Sequence, residues 1–166
     1  MIIKLHQLLR TISILLVFVT ELVIAHGTHQ ATFTFDIIDD QLIVDVVFHR
    51  HDLHDLVEKD SNCLSEKEFI YCANQYITGH FKCKLNDEYA NFEFEASTTI
   101  DDYVILRYMI DREFRSIYLV HIIITCFESF SEEYSNIIIL KFDNDNSYKL
   151  DQDRTEFSLI FKSKTD

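Results

Sequence analysis

The sequence predicts a mainly β domain of the α+β class, an antiparallel β-sandwich-like fold with one or two helices inserted after the first hairpin. Three observations carry this. Short runs rich in Val, Ile, Phe, Tyr and Thr recur with turn residues between them, the pattern of packed antiparallel strands. One segment, residues 65–79, carries helix signals at both ends. After Gly79 every remaining apolar run is strand-like.

Thr32-Phe33-Thr34-Phe35-Asp36-Ile37 alternates polar and apolar residues, the period of a strand with one buried face. Asp39-Asp40 supplies a turn, and Leu42–Phe48 is β-branched and almost continuously apolar, as in a strand covered on both faces. The two form a hairpin that sets Phe33 beside Val47. From Asp52 the spacing becomes helical, with Leu53, Leu56 and Val57 on one side, so a short helix runs to about Lys59.

Ser65 and Glu68 form a capping box, and Phe69, Cys72, Ala73, Tyr76 and Ile77 make an apolar stripe. Gly79 stands where a helix-ending glycine belongs. Next come strands at Phe81–Leu85, at Phe92 and Phe94 alternating with Glu93 and Glu95, and at Tyr103–Ile110 and Ile117–Thr125. The alternation of β-strand faces puts Phe92 and Phe94 on one buried face. Cys126–Tyr134 reads as a loop, Ile137–Phe142 as a strand, residues 143–146 as a turn and Phe157–Phe161 as the last strand.

Residues 1–25 have the layout of a signal peptide: Lys4 and Arg10 lead, Ile12–Val19 is apolar and Ala25 precedes the cut. The uncharged run Thr11–Thr20 is far below the roughly 20 apolar residues that cross a bilayer, so no stable membrane insertion is expected after cleavage. Residues 26–166 then form a single exported domain, periplasmic or secreted. Cleavage removes two basic residues and one acidic residue, so the net charge of −13 becomes one unit more negative. Such a surface repels phosphate backbones, and nucleic acid is not an expected partner.

With two glycines and no proline the chain has no phosphate-cradling loop. Ser129, Ser131 and Ser135 lack the nucleophile-elbow motif. Residues 143–146 lack the glycine and distal glutamate of a calcium loop. No catalytic residue is assigned, and the expected activity is binding rather than catalysis, through an unknown protein partner.

Cys63, Cys72, Cys83 and Cys126 are candidates for disulfides in an oxidising compartment, and four cysteines allow three full pairings. Buried thiols are the competing state, because free cysteine behaves as a small apolar residue.

Histidines offer the one candidate for chemistry. Cleavage after Ala25 leaves His26 at the amino terminus, where its amine and imidazole can chelate copper or zinc together. His29, His49, His51 and His54 could complete the set; His49 and His51 share a face if the strand continues. Asp52 or Asp55 would ligate or orient a ring. This copper- or zinc-binding protein is the alternative to a plain binding domain. His121, within an apolar run, reads as a hydrogen-bonded core histidine, and His80 as the partner of a helix C-terminus.

The order of features has a precedent. A signal ending at Ala25-His26, a hairpin, the segments Asp52-Leu53 and Asp55-Leu56, a helix running into Lys84-Leu85-Asn86 and a late loop into Asn136-Ile137-Ile138 together resemble a family of small exported bacterial proteins, domain of unknown function 6702. The resemblance implies a periplasmic or secreted β-rich domain and supplies no activity. The extra histidines near Asp52 and the four cysteines are departures from it. A looser similarity, carried by His26 alone, is to copper-binding exported β-sandwiches whose mature chain begins with histidine.

Overall fold

The structure, a computed structural model, describes residues 29–57, 63, 66–113, 117–129, 133–143 and 146–160. The expected signal segment, His26, Ser65 and the Asn144-Asp145 part of the late turn lie outside the described residues.

Strands β1 (His29–Ile38) and β2 (Gln41–His49) form the expected hairpin. Asp39 and Asp40 join them with φ of 52° and 67°, the left-handed pair that suits the twist of a two-residue hairpin turn. That turn sets the register. Phe33 faces Val46, and Val47 faces Thr32; the expected Phe33–Val47 pairing would need a loop one residue longer.

β2 passes directly into α1 (Arg50–Val57), whose first amide donates to Asp102 O at 2.7 Å. Helix α2 (Glu66–His80) follows and buries Phe69, Cys72, Ala73 and Ile77, positions spaced to fall on one helical face. Gly79 does not end it. It sits in the last turn at negative φ, and the chain runs from His80 straight into β3 (Phe81–Leu85).

A second left-handed pair, Asn86 and Asp87, turns β3 into the two-residue β4 (Glu88–Tyr89). The long hairpin of β5 (Phe92–Ile100) and β6 (Tyr103–Glu113) turns at Asp101-Asp102. β7 (Leu119–Ile124), β8 (Tyr134–Leu140), a 3-10 turn (Lys141–Asp143), β9 (Asn146–Leu150) and β10 (Glu156–Ile160) complete the chain.

The ten described strands make two sheets, with order β5-β6-β2-β1-β8-β9 in one and β10-β7-β3-β4 in the other. Every pairing is antiparallel except β1 with β8, which is parallel. The purely antiparallel expectation is corrected there. A parallel pair needs a long crossover, and both helices together with β3, β4 and β7 of the second sheet lie between β1 and β8 in sequence.

One core fills the space between the sheets. Phe33 of β1 packs on Phe81 of β3 at 4.9 Å between ring centroids, and Tyr148 of β9 packs on Phe157 of β10 at 4.2 Å. Toward β6 the cover is helical: Tyr108 is buried and its hydroxyl donates to Asn74 Oδ1 of α2 at 2.9 Å.

Cys63 and Cys72 form a disulfide that ties the approach to α2 onto its second turn, with Cα atoms 6.1 Å apart. Cys83 and Cys126 are buried free thiols, the competing state for that half of the set. Among the described residues no helix is long and apolar enough to cross a membrane.

Candidate functional site

Of the candidate histidines, His49 and His51 lie together, with ring centroids 6.5 Å apart, while His29 and His54 make their ring contacts elsewhere. His29 opens β1, and its side chain is 23% exposed; its Nδ1 lies 3.4 Å from Asp52 Oδ1 while its ring stacks on Phe127. His54 stacks on Phe69. His49 closes β2 beside its cross-strand partner Tyr103, with rings 5.3 Å apart, and its Nδ1 accepts the His51 amide at 3.3 Å.

The strand ends at His49, so His51 belongs to the first turn of α1 and strand alternation does not apply to the pair. Rings directed at Phe127, Phe69 and Tyr103 form separate contacts, and among the described residues no group of three His, Cys, Asp or Glu is placed to hold a metal.

Other sequence expectations divide. His80 Nδ1 lies 2.8 Å from Tyr76 O and stacks on the Tyr76 ring at the end of α2, as expected of a helix C-terminus. His121 is not in the core. It faces outward from β7, with Nε2 3.1 Å from Glu156 Oε2 across the strand pair. Alternation explains this: Val120, Ile122 and Ile124 take the inner face. Ser135 belongs to β8 rather than to a loop and is buried.

The surface with the most distinctive geometry lies on the outer face and edge of the six-stranded sheet. Residues Asp45, Arg107 and Ala96 stand in register across β2, β6 and β5, next to the row Val47, Ile105 and Thr98. Arg107 donates twice to Asp45, from Nε at 2.7 Å and from its terminal nitrogen at 2.8 Å, the planar fork that suits carboxylate. This hydrogen-bonded carboxylate raises the guanidinium pKa above its ordinary value, with Glu95 and Asp36 adding to the same field. Asp45, Ala96, Thr98, Ile105 and Arg107 line a hollow of about 200 Å³. The small side chains of Ala96 and Thr98 leave it open toward the sheet edge.

β5 is that edge, and no described strand pairs with its outer side. Eight of its nine residues are exposed. The expectation that Phe92 and Phe94 share a buried face is half correct: both lie on the inner side, Phe92 packs on Phe81 at 4.4 Å, and Phe94 remains 42% exposed because nothing described covers the strand there. A bulge at Glu95 interrupts the register between Phe94 and Ala96. At the far end of the hairpin Ile100 and Tyr103 are more than half exposed.

Sequence reasoning missed this surface, although two signals pointed to it. Asp45 is the only charge within Leu42–Phe48, and Arg107 is the only charge within Tyr103–Ile110. A lone anion and a lone cation centred in neighbouring strands are candidates for a cross-strand pair. Neither a scan of protein-family models nor a search of curated proteins gives a match to the chain.

Proposed function

We propose that the protein is an exported, non-enzymatic binding or accessory domain that works by docking another protein. The observation that carries this reading is the long outer edge of β5, with which no described strand pairs, joined to the Asp45–Arg107 hollow, since an unpaired row of backbone groups is a template for another chain. The Cys63–Cys72 disulfide supports an oxidising compartment, in agreement with the signal-like leader and with the resemblance to exported proteins of unknown function.

The test is photo-cross-linking in the envelope of the host cell, with benzoylphenylalanine in place of Tyr71 on α2, Thr98 on β5 or Tyr118 beside β7. A discrete adduct from at least one position is expected. Absence of adducts from all three contradicts the binding reading.

A copper- or zinc-binding role is the second reading. It is favoured by the approach of His29 Nδ1 to Asp52 Oδ1 at 3.4 Å, where the start of β1 meets α1. Titration calorimetry of the mature chain decides it, because binding tighter than about 10 μM, near −7 kcal/mol, is what a metal-handling protein requires.

A further inference from the structure

We infer that the outer edge of β5 accepts an extended segment of a partner as a seventh strand, and that the segment alternates basic and apolar side chains. This rests on the binding reading above and names the chemistry of the partner.

Edge strands are ordinarily blunted by charged side chains, above all lysine, by proline, by shortness or by bulges, and Glu93 and Glu95 leave β5 open chiefly to a cationic partner. β5 has nine residues, with no lysine and no proline, and a single bulge at Glu95. The opposite edge, β9, has five residues and carries Lys149. A partner strand along all of β5 would cover about 30 Å of backbone at the usual rise per residue.

Charge selects the occupant. β5 bears Glu93 and Glu95 and no cation, and Asp101-Asp102 follow at its end. Asp45 is matched by Arg107 and Asp36 by Lys141 at 3.0 Å, so the carboxylates that act on an occupant of this edge are those of β5 itself, Glu93 and Glu95. A second copy of the chain would bring its own strong net negative charge and would repeat Glu93 and Glu95 along the new ribbon, which disfavours self-pairing.

Side-chain geometry gives the alternation. Guest residues directed to the outer face come alongside Ala96 and Thr98 and reach the hollow, where Ile105 accommodates an aliphatic stem, and a cationic head can turn back to Glu95 at the bulge of the same edge. Guest residues directed to the inner face meet exposed Phe94, an apolar neighbour.

The test uses fluorescent peptides nine residues long, the length of β5. One alternates lysine and valine, a second alternates glutamate and valine, and a third repeats the first with a central proline. Anisotropy should detect binding of the lysine peptide, with the other two weaker by about tenfold or more, a difference of about 1.4 kcal/mol. Thr98→Lys and Ala96→Lys should weaken the lysine peptide by a similar factor while leaving the unfolding midpoint unchanged, since both positions are exposed. Saturation with that peptide should slow amide exchange within residues 92–100.

No binding, binding indifferent to Thr98→Lys, or protection confined to another element overturns the inference, as does concentration-dependent protection of β5 without peptide, which would assign the edge to a second copy. The two readings fail separately. If the peptides fail while Tyr71 or Tyr118 gives a cross-linked adduct, the edge proposal falls and the binding reading stands; if neither experiment succeeds, both fall.

Discussion

All four cysteines are buried, but Cys83 and Cys126 keep free thiols where Cys63 and Cys72 share a disulfide. Burial pushes the Cys83 thiol from an ordinary value of 9.0 up to about 12 and also raises Cys126, so neither presents the thiolate that reacts with disulfides or alkylating agents. Without reductant, the folded protein should be inert to Ellman's reagent at pH 8, and the denatured protein should release two equivalents, one for each free thiol. Four equivalents would mean that the Cys63–Cys72 bond is absent, and none would mean that Cys83 and Cys126 are also bonded.

The hairpin turns and the disulfide set the stability of individual elements. Asp40 holds a φ of 67°, where a short polar side chain is tolerated and a β-branched one is strained. Asp40→Val should destabilise the fold by about 1–2 kcal/mol, read as a lower urea midpoint with an unchanged slope; an unchanged midpoint would remove the turn as a determinant of register. Cys63 and Cys72 close a loop with sequence separation 9, for which the chain-entropy relation gives about 2.5 kcal/mol. Cys72→Ser should cost about that much more under oxidising conditions than once both proteins are reduced, where only the burial of the new hydroxyl remains.

The elements most legible in the sequence were those where local chemistry and burial agree. The β1–β2 hairpin has alternation in Thr32–Ile37 and turn residues at Asp39-Asp40, and α2 has a periodic stripe from Phe69 to Ile77. β9 was not legible, because Leu150 is its only fully buried residue and Asn146-Ser147 reads as turn. The start of β8 was hidden by Ser135 and Asn136, polar residues that are nevertheless buried; Asn136 is held by its amide donating to Cys126 O. The parallel β1–β8 pairing depends on the path of the whole chain and has no local signature. The same is true of the Asp45–Arg107 hollow, whose halves lie 62 residues apart. The histidines were legible as residues, but their separate aromatic contacts belong to tertiary structure.

At the scale of the molecule, buried acids give the domain an alkaline limit. Cys83 and Tyr76 are raised to about 12, mainly by burial, and Cys126 and Tyr108 are raised in the same direction. The unfolded chain loses these protons near its ordinary values, 9.0 for thiols and 10.0 for phenols, while the folded chain retains them. The stabilisation is therefore fully present below about pH 9 and is lost as pH rises toward 12. Thermal melts from pH 7 to pH 11 should show a plateau and then a steep fall; a midpoint that keeps rising above pH 9 would contradict the buried placement of these groups.

The central claim is that a core closed between two sheets leaves one long strand edge open for a partner. Residue-resolved amide exchange on the mature chain alone tests it most directly. Amides of residues 42–48 and 104–110, flanked by strands on both sides, should exchange only through global unfolding. Along residues 92–100, protected amides bonded to β6 should alternate with amides that exchange at nearly the rate of an unstructured peptide. Uniform protection along β5 would mean that its outer edge is already occupied, and would contradict the account.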